Sequence, residues 1–208
     1  NNQIFMKELI EKIQLREMDA VKELLKSPVD WKPTSKLPFP PLILATIEDD
    51  LEMVKLLLEH NCPVDDVSKG QKQKMTALHF AAYRKNFEIV KFLVEKGAEI
   101  NARDWFGNGP LWSAGNNEAI GIFLMENGAD PDMMNNYGKS PRNNMGYAYD
   151  YVRFYLGDTD KRAGVREMED IINMGNAQIV TIMINAGKDV NLVLSEGKVA
   201  LHLAAEKG

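Results

Sequence analysis

Side chains able to do acid–base, nucleophilic or metal chemistry are few here: three histidines (His60, His79, His202) and one cysteine (Cys62) in 208 residues. His60, Cys62 and Asp65 form the one cluster with metal-type side chains. A zinc site takes three or four ligands held close together, so this trio reads as the end of a helix followed by a turn. A lone cysteine excludes an internal disulfide and a four-thiolate zinc site, and favours a reducing compartment. The stretch DTDKRAG (Asp158 to Gly164) lacks the third ligand, the glycine spacing and the terminal Glu of a calcium loop, and reads as a solvated turn. Neither a GxxxxGK phosphate loop nor a GxSxG elbow is present. The expectation is a chain with no catalytic residues, no metal and no cofactor.

Binding chemistry is better represented. Trp105 and Phe106 stand together in DWFG, and Tyr137 stands in NNYG. The glycines Gly107 and Gly138 mark these as tight turns. Large apolar side chains at a turn tip expose area that lowers solubility unless something covers it, and Trp, Tyr and Arg are common binding anchors. Partner contact is one reading of Trp105 and Phe106; packing on Tyr137 or Trp112 is the other. A second aromatic group, YAYDYVRFY (Tyr147 to Tyr155), reads more simply as core filling.

The elements that must position these residues repeat. TALHFAA (Thr76 to Ala82) and FEIVKFLVEKGAEIN (Phe87 to Asn101) recur in altered form as GPLWSAG with FLMENGADPD, and as PPLILAT with DLEMVKLLLEHNCPVD. VALHLAA and IVTIMINAGKDVN repeat the pattern near the C-terminal end. Leu42 to Leu78 spans 36 residues, Leu78 to Leu111 33, Gly107 to Gly138 31 and Gly164 to Gly197 33. Ala77, Ala81 and Ala82 share a helix face that lets a neighbour approach closely, while Phe87, Val90, Leu93 and Val94 make an apolar stripe at helical period. Gly97, and Asn61 one unit earlier, supply the left-handed residue that ends a helix. No single helix pair could bury its own stripe, but stacked neighbours can.

These residues resemble the ankyrin repeat, with its Thr-Pro-Leu-His start, paired small residues, Val-x-x-Leu-Leu helix and Gly-Ala-Asp-x-Asn end. The resemblance implies an all-α solenoid of helix-turn-helix units with short β-hairpin fingers, in six to seven repeats forming one domain over 1–208. The divisions are an N-terminal helix pair (1–33), repeats at 34–69, 70–103 and 104–134, a degenerate repeat at 135–163, a repeat at 164–193 and a partial repeat at 194–208. In the first pair, Ile4, Phe5, Leu9 and Ile13 share a face. The finger between Leu58 and Leu78 carries about three extra residues, and the segment Gly115 to Ile120 is two short at its inter-helix turn. Arg142 replaces the buried leucine of the start motif, so a distorted pair is expected there. The chain stops at AAEKG with an apolar face open, which suggests a piece of a longer protein.

The resemblance also implies function. Finger tips and first helices line a concave groove, here expected to be acidic, that binds another protein. Carried over position by position, the contact residues are Tyr83, Arg84, Trp105, Phe106, Asn108, Asn116, Asn136, Tyr137, Lys139 and Tyr147, with Asn117 beside Asn116. His79 and His202 are structural in this pattern and lie about 40 Å apart at about 10 Å per helix layer. Leu93 followed by Glu99-Ile100-Asn101 resembles a target of asparagine hydroxylation. An alternative is a sensory domain of a larger enzyme or channel, binding a nucleotide on Trp105 and Phe106 with Arg103 or Arg84; a third is a passive spacer.

Composition narrows the classes. Hydrophobic residues are 45% and charged residues 26%, enough for a core. The net charge of −5 disfavours nucleic acid as partner. No apolar run reaches the roughly 20 residues of a membrane span, and the first ten residues do not resemble a secretion signal. An intracellular, cytoplasmic protein is expected.

Overall fold

The structure, a computed structural model, describes residues 2–31, 38–69 and 73–146. Within them the repeating sequence becomes a series of helix pairs: α1 (Asn2–Gln14) with α2 (Met18–Leu24), α3 (Pro41–Ile47) with α4 (Leu51–Glu59), α5 (Ala77–Tyr83) with α6 (Phe87–Glu95), and α7 (Pro110–Ser113) with α8 (Glu118–Glu126). A ninth helix, α9 (Pro141–Asn144), opens the next unit. The first helices form one row, α1 on α3, α3 on α5 and α5 on α7; behind them α4 packs on α6 and α6 on α8. The domain boundaries at 164–193 and 194–208, the segment Tyr147 to Tyr155 and most of 135–163 lie outside the described residues.

Burial explains the spacing. Leu42, Leu78 and Leu111 are at most 2% exposed, and Ala45, Ala77, Ala81 and Ala82 are fully buried. Alanines at these positions remove side-chain bulk, so the α5 backbone can pack between α3 and α7. In the second helices the buried sets are Met53, Val54 and Leu57, then Ile89, Val90 and Leu93. The stripe therefore centres on Ile89 rather than Phe87. Phe87 lies at its edge, meeting Phe123 of the next unit edge-on at 5.3 Å. In α1 the buried face is Met6, Leu9 and Ile13, while Ile4 is exposed. Ile4 precedes Leu9 by five residues, off the three-to-four spacing that keeps a side chain on one helix face.

Each unit reverses direction through left-handed residues. Arg16, Asp49, Lys85 and Gly115 have φ of 54–62° between the two helices. Asp50, Asn86 and Asn117 then cap the second helices, each side-chain oxygen accepting from the amide three residues on. The two-residue deletion near Gly115 falls in the helix and not in the turn. α7 has four residues where α3 and α5 have seven, and Asn116 is added before the cap.

Arg142 does occupy the place of Leu78 and Leu111. Its guanidinium is half-buried and turns to the Asp132 carboxylate of the preceding loop, leaving Nε without a partner. Met145 is buried where the earlier units have Ala81 and Ala114. α9 accordingly has a single turn.

His79 joins successive units. Its Nδ1 accepts from the Thr76 amide (3.1 Å) and hydroxyl (2.8 Å), so the proton sits on Nε2, which donates to the Asn108 carbonyl of the next unit (3.1 Å). The ring is fully buried. Burial, partly offset by the Asn108 carbonyl, lowers its pKa below 6.5. A lowered histidine pKa means the unfolded chain takes up the proton first. Stability present at neutral pH is thus lost as pH falls from about 6.5 towards the folded value. Chemical denaturation at pH 7.5 and 5.5 should show lower stability at 5.5, and H79N should be less stable at pH 7.5 with most of that pH dependence removed.

Candidate binding face of the finger row

Between units the chain turns in a finger. In the third finger Asp104 organises the tip: its Oδ1 accepts from the amides of Phe106 and Asn108 at 2.8 Å, and its own amide donates to the Asn108 carbonyl. Asn135 repeats this arrangement with Tyr137 and Lys139. Gly107 has a φ of 80°, which an L side chain rarely adopts, and a Cβ there would lie 3.1 Å from the Asn136 amide nitrogen. The expected hairpins contract to turns. Among the described residues there is no strand, only an antiparallel bridge between Val67 and Thr76 at the base of the longer finger. That finger's tip, 70–72, lies outside the described residues. Turns of four or five residues leave too little chain on either side for a ladder.

Neighbouring fingers are bonded into a row. The Trp105 amide donates to the Gln73 carbonyl and the Asn136 amide to the Phe106 carbonyl, both at 2.9 Å. These two bonds make Gln73, Phe106 and Tyr137 equivalent, and likewise the left-handed Lys74, Gly107 and Gly138. Arg103 reaches across to the Met134 carbonyl and Asn136 Nδ2 to the Trp105 carbonyl. Lower down, Asp65 Oδ1 accepts from the Glu99 amide, and Asn101 Oδ1 from the Asp130 amide while its Nδ2 donates to the Gly128 carbonyl.

The expected contact residues therefore divide. Tyr83 and Tyr137 are each 69% exposed and Trp105 58%. Phe106 is half-buried against Tyr137, with ring centroids 6.3 Å apart. Asn116, Asn136 and Lys139 are exposed. Asn108 is half-buried and bonded on three sides, its carbonyl to His79, its Oδ1 to Asn135 and its Nδ2 to Asp104. Arg84 is exposed and paired with Asp49, whose carboxyl it holds below the ordinary carboxylate range. Asn117 caps α8. Tyr147 lies outside the described residues. Met134, 58% exposed beside Trp105's finger, extends the apolar surface and was not among the expected residues; its place one position before the Asn135 turn is what marks it.

The trio His60, Cys62 and Asp65 is held apart by other bonds. His60 Nδ1 donates to the Leu56 carbonyl, and the His60 carbonyl accepts from Trp31 Nε1. Cys62 is buried, which pushes its thiol up to about 12. Asp65 serves the Glu99 amide.

Stacked helix pairs with hydrogen-bonded fingers define a helical repeat solenoid. Residues 9–104 match the family model for ankyrin repeats, in three copies, and over that stretch the chain belongs to the ankyrin-repeat family. Similar proteins include alpha-latrotoxin-Lg1a of Latrodectus geometricus, 26% identical over 53% of this chain and 8% of its own length. RelA-associated inhibitor of Mus musculus is 31% identical over 57% of this chain and 14% of its own. The probable 26S proteasome regulatory subunit p28 of Saccharomyces cerevisiae is 36% identical over 36% and 32%. The chain thus spans less than a third of the length of each of these relatives.

The geometry separates scaffold from surface. Asp104→Ala should cost about 1–2 kcal/mol by loss of two amide bonds to a carboxylate, whereas Trp105→Ala should change stability by less than about 0.5 kcal/mol. Urea unfolding of the two variants checks this.

Proposed function

We propose that this chain is a non-catalytic protein-binding module whose partner lies in the concave face formed by the finger row and the first helices. The observation that carries the reading is the exposure of Tyr83, Trp105 and Tyr137 on units that are otherwise tightly bonded to one another. Large aromatics held on a fixed backbone lose little conformational freedom on contact, which favours association. Asn116, Asn136 and Lys139 would supply polar contacts at the edge. Asn108 has an internal role and is left out of the contact set, and Arg84 contributes through its pair with Asp49.

The ankyrin family supports protein binding as the general activity, and the relative named RelA-associated inhibitor carries an association in its name. The nucleotide alternative is less favoured. Arg84, offered as a phosphate ligand, faces Asp49.

With a partner recovered by proximity labelling and purified, Y83A/W105A should weaken its binding at least tenfold by calorimetry, with an unchanged melting temperature. Equal affinity of the double variant and the native chain would place the contact elsewhere.

A further inference from the structure

Charge is distributed against the trend of the whole chain. The net charge is −5, yet the described residues of the finger segments, 66–69, 73–75, 102–109 and 133–140, carry four basic residues (Lys69, Lys74, Arg103, Lys139) against two acidic ones, Asp66 and Asp104. The face expected to be acidic is basic at its tips. Asp104 is occupied by two amides of its own turn, and Asp66 is half-buried. Several cations elsewhere are paired, as Arg16 with Glu48, Arg84 with Asp49 and Arg142 with Asp132. Lys74, Arg103 and Lys139 are exposed and have no carboxylate partner among the described residues.

Placement adds a second constraint. These three cations stand on three successive fingers tied together through Gln73–Trp105 and Phe106–Asn136, with Trp105, Met134 and Tyr137 exposed among them. Lys74 holds the left-handed apex position at φ 49°, which the next two fingers fill with glycine. A branched Cα is disfavoured there by about 1–2 kcal/mol. Helix layers repeat at about 8–10 Å, and an extended chain advances about 3.3–3.6 Å per residue, so one finger corresponds to about three residues of a strand laid across the row.

We propose that the finger row binds an extended acidic peptide segment, with carboxylates facing Lys74, Arg103 and Lys139 on successive fingers, and an aromatic or aliphatic side chain seated on Trp105 and Tyr137. This rests on the protein-binding reading and specifies its occupant. Attraction by these exposed cations supplies steering, and the aromatics supply the contact that persists in salt.

The test selects from an unbiased phage library of random peptides of about twelve residues on the full chain, then measures fluorescein-labelled winners by anisotropy. The expected winners are net negative, and they bind at least tenfold more weakly to K74E/R103E/K139E. They lose affinity as salt rises from about 50 to about 300 mM, and are unaffected by K22E/K91E on the second helices. Thermal melts confirm that both variants fold, and the salt series on the native chain gives a readout free of substitutions. Neutral or basic winners that still depend on Trp105 would overturn the acidic occupant while leaving the protein-binding reading intact. Winners indifferent to W105A, or no winners, would remove both. Tighter binding of a single-stranded oligonucleotide than of any acidic peptide would also overturn the proposal.

Discussion

Helices of up to about 13 residues are marginal alone in water, and every pair among the described residues is built from helices no longer than that. What makes them stable is apposition: Leu78 and the alanines of α5 are buried only because α3 and α7 lie on either side. All other features follow from this dependence on neighbours. The units must approach closely, so side chains at the contact are small. They must keep a fixed register, so polar bonds recur at equivalent places in successive junctions, from Asp65 to Glu99 and from Asn101 to Asp130, with His79 to Asn108 as a further tie.

The same bonds decide which side chains remain free. A polar residue at a junction is recruited into the stack, as Asn108 and Asn101 are, whereas several side chains at or beside the finger apices stay exposed. Trp105 and Tyr137 are at apices, and so are Lys74 and Lys139 in neighbouring positions. The separation of an internally bonded layer from a free one is what lets partner-facing residues change without unravelling the array.

Much of this was legible in the sequence. Period, helix-ending residues and the small-residue faces all follow from local chemistry, and Gly97, Asn61, Gly107 and Gly138 adopt the left-handed conformation their turns require. The assignment of individual side chains was less accessible. Asn108 and Asn136 look alike in sequence and both bond across a junction, but the following unit half-buries Asn108 while Asn136 stays exposed. The deletion near Gly115 illustrates the same difficulty, because a gap in a repeat can be absorbed by shortening a helix or by tightening a turn. The chain-wide charge balance likewise says nothing of where each sign falls.

The shortened α7 has a consequence for shape. Where α5 runs on to present Tyr83 and Arg84, α7 has already ended at Ser113. The back of the trough is consequently stepped, high behind one finger and low behind the next. A guest lying along it would find unlike surroundings at its two ends, and reversing its head-to-tail direction would exchange them. For an occupant of the kind proposed, helix length alone would then distinguish the two directions.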